Sequence, residues 1–229
     1  MEYQTKNLLV RLSYYLIALA VLALLVFGIY SAVKSSELTV PVPLASVVTN
    51  NDWQKGNQEA SVTLVEYADF QCPACGQFDP LLAQLISVYG DRVDFVYRNF
   101  PLREKHANAE AAAEAAGAAG LQGKFWEMHN VLYANQTSWQ DLADPKVTFQ
   151  GYAKSLGLDM DKFNADSGSV AVRDRIEADY RSGLAAGIDG TPTFFLQGVK
   201  IANPASYNAF AAVIESALAK TAQAPTTTP

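Results

Sequence analysis

Hydrophobic and polar positions alternate with different textures along this chain. From Leu12 to Val33 the run LSYYLIALAVLALLVFGIYSAV carries no formal charge over 22 residues. Wound as a helix at about 1.5 Å per residue it reaches about 33 Å, enough for a hydrocarbon core of roughly 30 Å. A cleaved signal peptide has a shorter apolar region and a small-x-small exit. Here the exit reads GIYSAVKSSE, with Tyr30 badly placed for cleavage after Ala32. One N-terminal transmembrane helix over residues 12–33 is therefore expected, with a cleaved signal or a buried core helix as the alternatives. Lys6 and Arg11 precede the run while Lys34 and Glu37 follow it. This weak positive-inside bias places residues 1–11 in the cytoplasm and everything after Lys34 outside.

Residues 34–57 read as a linker, punctuated by Ser35, Ser36, Pro41, Pro43 and Asn50-Asn51-Asp52, and too short for a dimerisation domain. Val62 to Tyr67 (VTLVEY) is an apolar, β-branched run that suits a buried strand. After a turn at Asp69 to Gln71, the residues Phe78, Leu81, Leu82, Leu85, Ile86 and Tyr89 recur at helical spacing until Gly90. Val93 to Phe100 predicts a second strand, closed by Pro101.

The texture then turns helical from Arg103 to Ala186: an Ala-rich stretch from His106 to Gly120, then Phe125 to Tyr133, Val147 to Leu156 and Val170 to Ala186. Gly117 and Gly120 in the first of these suit close helix packing. Thr193 to Leu196 and Val199 to Ile201 flank Gln197-Gly198, the short loop of a hairpin. Tyr207 to Ala219 predicts a last helix, and residues 222–229 a disordered tail. The order predicts an α/β domain over 58–102 and 187–221, interrupted by a helical insertion over 103–186.

Composition sharpens this. Half the 229 residues are hydrophobic and 17% are charged, below the quarter usual in soluble domains, and residues 12–33 account for much of the excess. The net charge is −6; residues 1–33 hold two of the 17 Lys+Arg and one of the 23 Asp+Glu, leaving 15 against 22, about −7, beyond them. A basic footprint for nucleic acid is absent, so no nucleic-acid partner is expected.

The cysteine content is one CxxC, Cys72-Pro73-Ala74-Cys75. At a strand–helix junction, unpaired N–H groups and the positive end of the helix dipole point at the first sulfur and favour thiolate over thiol. The thiolate is the species that attacks a disulfide or leaves one. Cys75, one turn on, lies beneath and can close the loop, and Pro73 fits a first turn where its missing N–H costs nothing. Half a zinc site is the competing reading, but zinc needs about four ligands and only His106 and His129 are otherwise offered. His129 falls on the Phe125, Met128, Leu132 face and reads as a core histidine. His106 reads as structural or capping, and Trp126, Tyr133 and Trp139 as core of the insertion.

The segments ASVTLVEYADFQCPACGQF, NFPLREKHANAEAAAEAAGAAGLQGKFWEMH and IDGTPTFFLQG resemble the DsbA family of thiol:disulfide oxidoreductases, in family order over about Ala60 to Ala219. The branch most similar is the membrane-tethered, Gram-positive-type one. The resemblance implies a thioredoxin-like α/β fold with an inserted helical domain, and disulfide exchange with exported proteins. It implies that Cys72 is the exposed attacking cysteine and Cys75 the buried resolving one. Glu66, six residues before Cys72, matches the buried acid that relays the proton of Cys75, against the alternative of a solvent-facing strand residue. Thr191-Pro192 matches the cis-proline loop, whose backbone pairs with an extended substrate segment.

The dipeptide Pro73-Ala74 departs from the Pro-His of strongly oxidising members: Ala74 brings no imidazole to the Cys72 thiolate. A Cys72 pKa below that of a free thiol, but less depressed than in the Pro-His enzymes, is expected. The function implied is a monomeric extracytoplasmic dithiol oxidase working through a mixed disulfide on Cys72. No cofactor beyond the Cys72–Cys75 disulfide is expected. The partners implied are reduced exported substrates and a quinone-linked membrane reoxidase of DsbB or VKOR type. The alternatives are a reductase or isomerase of the same fold, and a non-enzymatic metal-binding domain.

Overall fold

Burial of two apolar strands organises the computed structural model, which describes residues 19–28 and 43–223. Residues 19–28 are helical (α1); the rest of the expected anchor over 12–33, the segment 1–11 and the tail beyond 223 lie outside the described residues. Among the described residues no helix is long and apolar enough to cross a membrane. Residues 1–40 and 41–229 are separate units, and the fold that follows is that of the second.

Along this unit run β1 (Trp53–Gly56), β2 (Val62–Ala68), α2 (Pro73–Tyr89) and β3 (Val93–Asn99). Next come α3 (Ala109–Gly120), α4 (Phe125–Ala134), α5 (Gln136–Trp139), α6 (Lys146–Ser155), α7 (Met160–Asp166) and α8 (Val170–Ala185). The hairpin β4 (Thr193–Leu196) and β5 (Val199–Ile201) and the helix α9 (Tyr207–Gln223) complete it. The strands form one sheet in the order β1-β3-β2-β4-β5. Only β2 and β3 are parallel, joined by α2 as a parallel pair requires. The hairpin turns through Gln197 and Gly198 with φ of 51° and 74°, as expected of a two-residue loop whose twist matches the strands.

Two-residue alternation divides β2 between the faces. Val62 and Leu64 meet Leu82 and Leu85 of α2 and Phe210 and Ile214 of α9. Val65 and Tyr67 face the other way, against Phe100 and Ile188. Glu66 shares the Val62–Leu64 face, opposite Tyr97 on one side and Phe194 on the other. The insertion has its own core, in which the Ala-rich α3 packs with Met128, Leu132, Trp139 and Phe149 and reaches Phe70 and both cysteines. The glycines of α3 serve close packing as expected. A Cβ on Gly117 would stand 2.8 Å from Val172 of α8, and one on Gly120 would run into the Trp53 ring. The short α5 and α7 have too few residues to show a period, so they are absent from the sequence pattern.

The expected linker over 34–57 needs correction from Pro43 on, residues 34–42 lying outside the described residues. Trp53–Gly56 is β1, paired with β3 in antiparallel register, and Leu44 N–H donates to the Gly198 carbonyl at 2.7 Å. The run WQKG is short and half polar because it forms a sheet edge, a pattern that reads as loop. The segment before it is held by Arg98 of β3. Its Nε donates to Asp52 Oδ1 at 2.7 Å, Nη1 to the Ser46 carbonyl and Tyr67 Oη, and Nη2 to the Val47 carbonyl and Asp52 Oδ2. The side chains of Arg98 and Asp52 are 3% and 7% exposed, so neither charge has water to fall back on. Arg98→Leu is expected to lower unfolding free energy by about 3–5 kcal/mol in urea titration, because Asp52 is left buried and unpaired. A loss below about 1 kcal/mol, the range of a surface pair, would contradict this account.

Candidate active site

The chain passes from β2 to α2 through Asp69, Phe70 and Gln71, and this loop is tied down residue by residue. Asp69 is 2% exposed; its Oδ1 accepts the Gln71 N–H at 2.7 Å, and its Oδ2 accepts the Leu102 N–H at 2.9 Å. Oδ2 also bonds His106 Nδ1 at 2.7 Å, so His106 has the structural role expected of it. Gln71 bridges to the insertion, its Oε1 accepting the Asn108 N–H and its Nε2 donating to the Gln140 carbonyl. Gln136 of α5 donates from Nε2 to the Phe70 carbonyl at 2.7 Å and the Cys72 carbonyl at 2.9 Å.

Cys72 is the N-cap of α2, with extended φ and ψ of −68° and 121°, and Pro73 follows inside the first turn. The Cys72 thiol donates from Sγ to the Thr191 carbonyl at 3.3 Å, across the cis Thr191–Pro192 bond that the motif led one to expect. Thr191, Pro192, Cys72 and Cys75 therefore meet at one point. Both cysteines are unpaired thiols and both are buried, Cys72 at 6% and Cys75 at 1% exposure. The expected contrast of an exposed and a buried cysteine is thus slight in accessible area.

It reappears in protonation. The Cys72 pKa is lowered to about 5, chiefly by the hydrogen bond from the Cys75 thiol, against a cost of burial; the Thr191 side chain and the backbone N–H groups of Cys75 and Ala74 also favour its thiolate. Ala74 therefore contributes a backbone donor in place of a side chain. Burial pushes Cys75 well above the usual thiol range, helped by its bond to Cys72 and the nearby Glu66. One cysteine is set to be a thiolate and the other a thiol.

Glu66 is 8% exposed, which answers the solvent-facing alternative. Burial first, then the charges of Asp79 and Cys72, raise its pKa to about 8. It lines a cavity of about 150 Å³ together with Lys55, Asp79, Tyr97, Trp126 and His129, space enough for water. Asp79 is raised to about 6 by burial. His129 Nδ1 lies 3.7 Å from Asp79 Oδ1, and burial lowers its pKa to about 4, so it is neutral at pH 7. It stacks edge-on with Phe70, Tyr97 and Tyr133, the core histidine read from its helix face. Trp139 is fully buried and Tyr133 nearly so; Trp126 instead sits at the seam with β1, donating from Nε1 to the Gln54 carbonyl at 2.9 Å. Among the described residues no group of three or more His, Cys, Asp or Glu side chains gathers as a metal site.

Asp69, Asp79 and Gln136 were not read from sequence as site residues. Asp69 carried a signal, an aspartate opening a turn three residues before the CxxC; Asp79 carried a weaker one, a carboxylate one turn beyond Cys75 in an apolar helix. Gln136 had none, since it reaches the site from a four-residue helix distant in sequence.

Reduced protein is expected to show a single thiolate absorbance step near pH 5, with the second thiol silent past neutrality; a first midpoint near 8.5 contradicts the geometry. Glu66 gives a stability test whose sign is fixed. Its carboxyl keeps in the folded state a proton that the unfolded chain releases between about pH 4.5 and about 8, so folding loses free energy as pH rises through that window. Glu66→Gln is expected to raise the urea midpoint relative to wild type at pH 8 and to lose that advantage at pH 4.

A thioredoxin family model matches residues 49–216, and the chain belongs to that family. Among solved structures, alpha-DsbA1 of Wolbachia pipientis superposes with a TM-score of 0.68 at 23% identity, covering 77% of this chain and 95% of that one. Oxidised BdbD of Bacillus subtilis gives 0.64 at 24% identity, covering 74% and 94%. The thioredoxin-like fold with inserted helices is the fold these proteins share. A curated relative from Salinispora arenicola, named Na(+)/H(+) antiporter NhaA 1, is 39% identical over 82% of this chain and 27% of its own length. The chain spans about a quarter of the length of the curated relatives it matches.

Proposed function

We propose that this thioredoxin-family chain is an extracytoplasmic thiol:disulfide oxidoreductase that introduces disulfides into exported proteins. The observation that carries the reading is the opposed protonation of Cys72 and Cys75 above a protonated, buried Glu66. In the oxidised enzyme a substrate thiolate attacks Cys72 Sγ, breaks the Cys72–Cys75 bond and expels the Cys75 sulfur with the bonding pair. Glu66 gives its proton to that sulfur, and the cavity beside it returns one from solvent. A second substrate thiolate then attacks the substrate sulfur of the mixed disulfide. The Cys72 thiolate departs, leaving the substrate oxidised by two electrons and the enzyme reduced.

A thiolate stabilised to a pKa of about 5 is a good leaving group and favours the reduced enzyme, which is the property of a dithiol oxidase. Main-chain pairing of an extended substrate at Thr191, beside Cys72 Sγ, would present the substrate thiol in line. The reduced enzyme needs an electron acceptor, and a quinone-linked membrane reoxidase of DsbB or VKOR type fits a domain tethered through residues 12–33. Relatives named as antiporters, which work across a membrane, support a thiol–disulfide module operating beside one.

The direction is tested by glutathione redox titration, with a reduction potential expected well above thioredoxin's value of about −270 mV. A potential at or below that value would make the protein a reductase. Cys72→Ser is expected to abolish oxidation of a reduced peptide with the fold intact; retained activity would refute the site. Glu66→Gln is expected to slow reaction of the oxidised enzyme with a thiol by roughly 10²-fold at pH 7. Corrected for substrate thiolate, the wild-type rate should decline as Glu66 ionises, at or below the dithiol form's value of about 8 because the disulfide form lacks the Cys72 charge, while the variant's stays level.

A further inference from the structure

Cys72 makes no side-chain capping bond at the start of α2, so the carbonyls on either side of the turn are held by other groups. Three hydrogen bonds converge on the Phe70 and Cys72 carbonyls. The Gly76 N–H reaches the Cys72 carbonyl at 3.1 Å as the first turn closes. The Gln136 carboxamide supplies the others, with Nε2 at 2.7 Å from the Phe70 carbonyl and 2.9 Å from that of Cys72. Gln136 is 8% exposed, so these bonds form away from bulk water, where an unmet carbonyl is costly.

Gly76 makes the approach possible. A Cβ at that position would lie 2.7 Å from Gln136 Oε1 and 3.2 Å from its Cδ, so the amide plane rests directly over the glycine. The glycine after the CxxC thus has a stated use: it admits a side chain from the insertion to the underside of the reactive turn.

We propose, on the reading of Cys72 as the attacking cysteine, that Gln136 is a positioning residue for the nucleophile. It fixes the Phe70 and Cys72 carbonyls so that the Cys72 sulfur stays at the N-terminus of α2. Its two N–H dipoles also point their positive ends at the carbonyls flanking that sulfur, offsetting a negative potential that would disfavour a thiolate. The helical insertion therefore tunes the reactive cysteine through one carboxamide, without touching the sulfur.

The test compares Gln136→Leu, Gln136→Glu and Gly76→Ala with a control on the same short helix, Trp139→Phe, which removes the indole bond to the Leu132 carbonyl and part of the ring packed against Phe149 while leaving the Gln136 carboxamide in place. Each full-length variant is titrated by thiolate absorbance, equilibrated with glutathione for its potential, and unfolded in urea. Gln136→Leu is expected to raise the Cys72 midpoint by about one pH unit, a tenfold loss of thiolate at fixed pH below it, and to make the potential more reducing. Gln136→Glu, which adds negative charge and removes the donors, should raise it further. Gly76→Ala leaves Gln136 in place and displaces its amide, so it should shift the midpoint the same way and decides the matter if the Gln136 variants fail to fold. Trp139→Phe should lower the unfolding midpoint with the Cys72 titration unmoved. Folded Gln136 or Gly76 variants with wild-type midpoints overturn the role of Gln136. A wild-type midpoint near that of a free thiol, about 8.5, instead overturns the nucleophile reading beneath it.

Discussion

Everything at the site depends on a short loop that turns a strand into a helix while presenting a sulfur and hiding its own carbonyls. Between Ala68 and Pro73 the backbone leaves a sheet ladder and has not yet joined a helix ladder, so its polar groups need partners from elsewhere. Asp69 takes the Gln71 N–H on its carboxylate and the Cys72 N–H on its carbonyl from within the loop, and Gln136 reaches the Phe70 and Cys72 carbonyls from the insertion. The Thr191 carbonyl closes the arrangement from above. The insertion is thus structurally continuous with the chemistry, which explains why its core cluster runs without a break into Phe70, Cys72 and Cys75.

The second organising constraint is electrostatic. Glu66, Asp79, Cys72 and Cys75 can all carry negative charge, and the groups crowd a region with little water. At neutral pH burial keeps protons on Glu66 and Cys75, while Cys72, favoured by the local N–H groups, and Asp79, raised only to about 6, carry the charge. The neutral state of His129 fits the same economy, because a cation there would have to be desolvated among aromatic rings.

Most of the fold was legible because its signals are periodic. The strands at Val62 and Val93, the helix after Cys72, the hairpin at Gln197-Gly198 and the Ala-rich helix with its two glycines all announce themselves within a few residues. The DsbA-like motifs placed Cys72, Cys75 and the Thr191–Pro192 loop, and Glu66 by its distance from the CxxC. What escaped was non-local. β1 reads as a linker because WQKG makes an edge, and its strand character comes from pairing with β3. Gln136 escaped because nothing around QTSW marks a glutamine that works sixty-four residues away from its partner. The near-complete burial of Cys72 escaped as well, since it arises from the insertion folding over the loop.

The Arg98 clamp has a mechanical consequence. Its five acceptors gather Ser46, Val47 and Asp52 onto the middle of the sheet, and the β1–β3 ladder follows immediately in the chain. Tension applied through residues preceding Pro43 would load the Pro43–Val199 bridge and the Leu44 N–H bond to the Gly198 carbonyl first, and then the Arg98 clamp, one of whose acceptors is Tyr67 of β2. A pull on the chain ahead of this unit therefore meets two successive sets of bonds, at the β4–β5 turn and at Arg98, before it reaches the β1–β3 ladder.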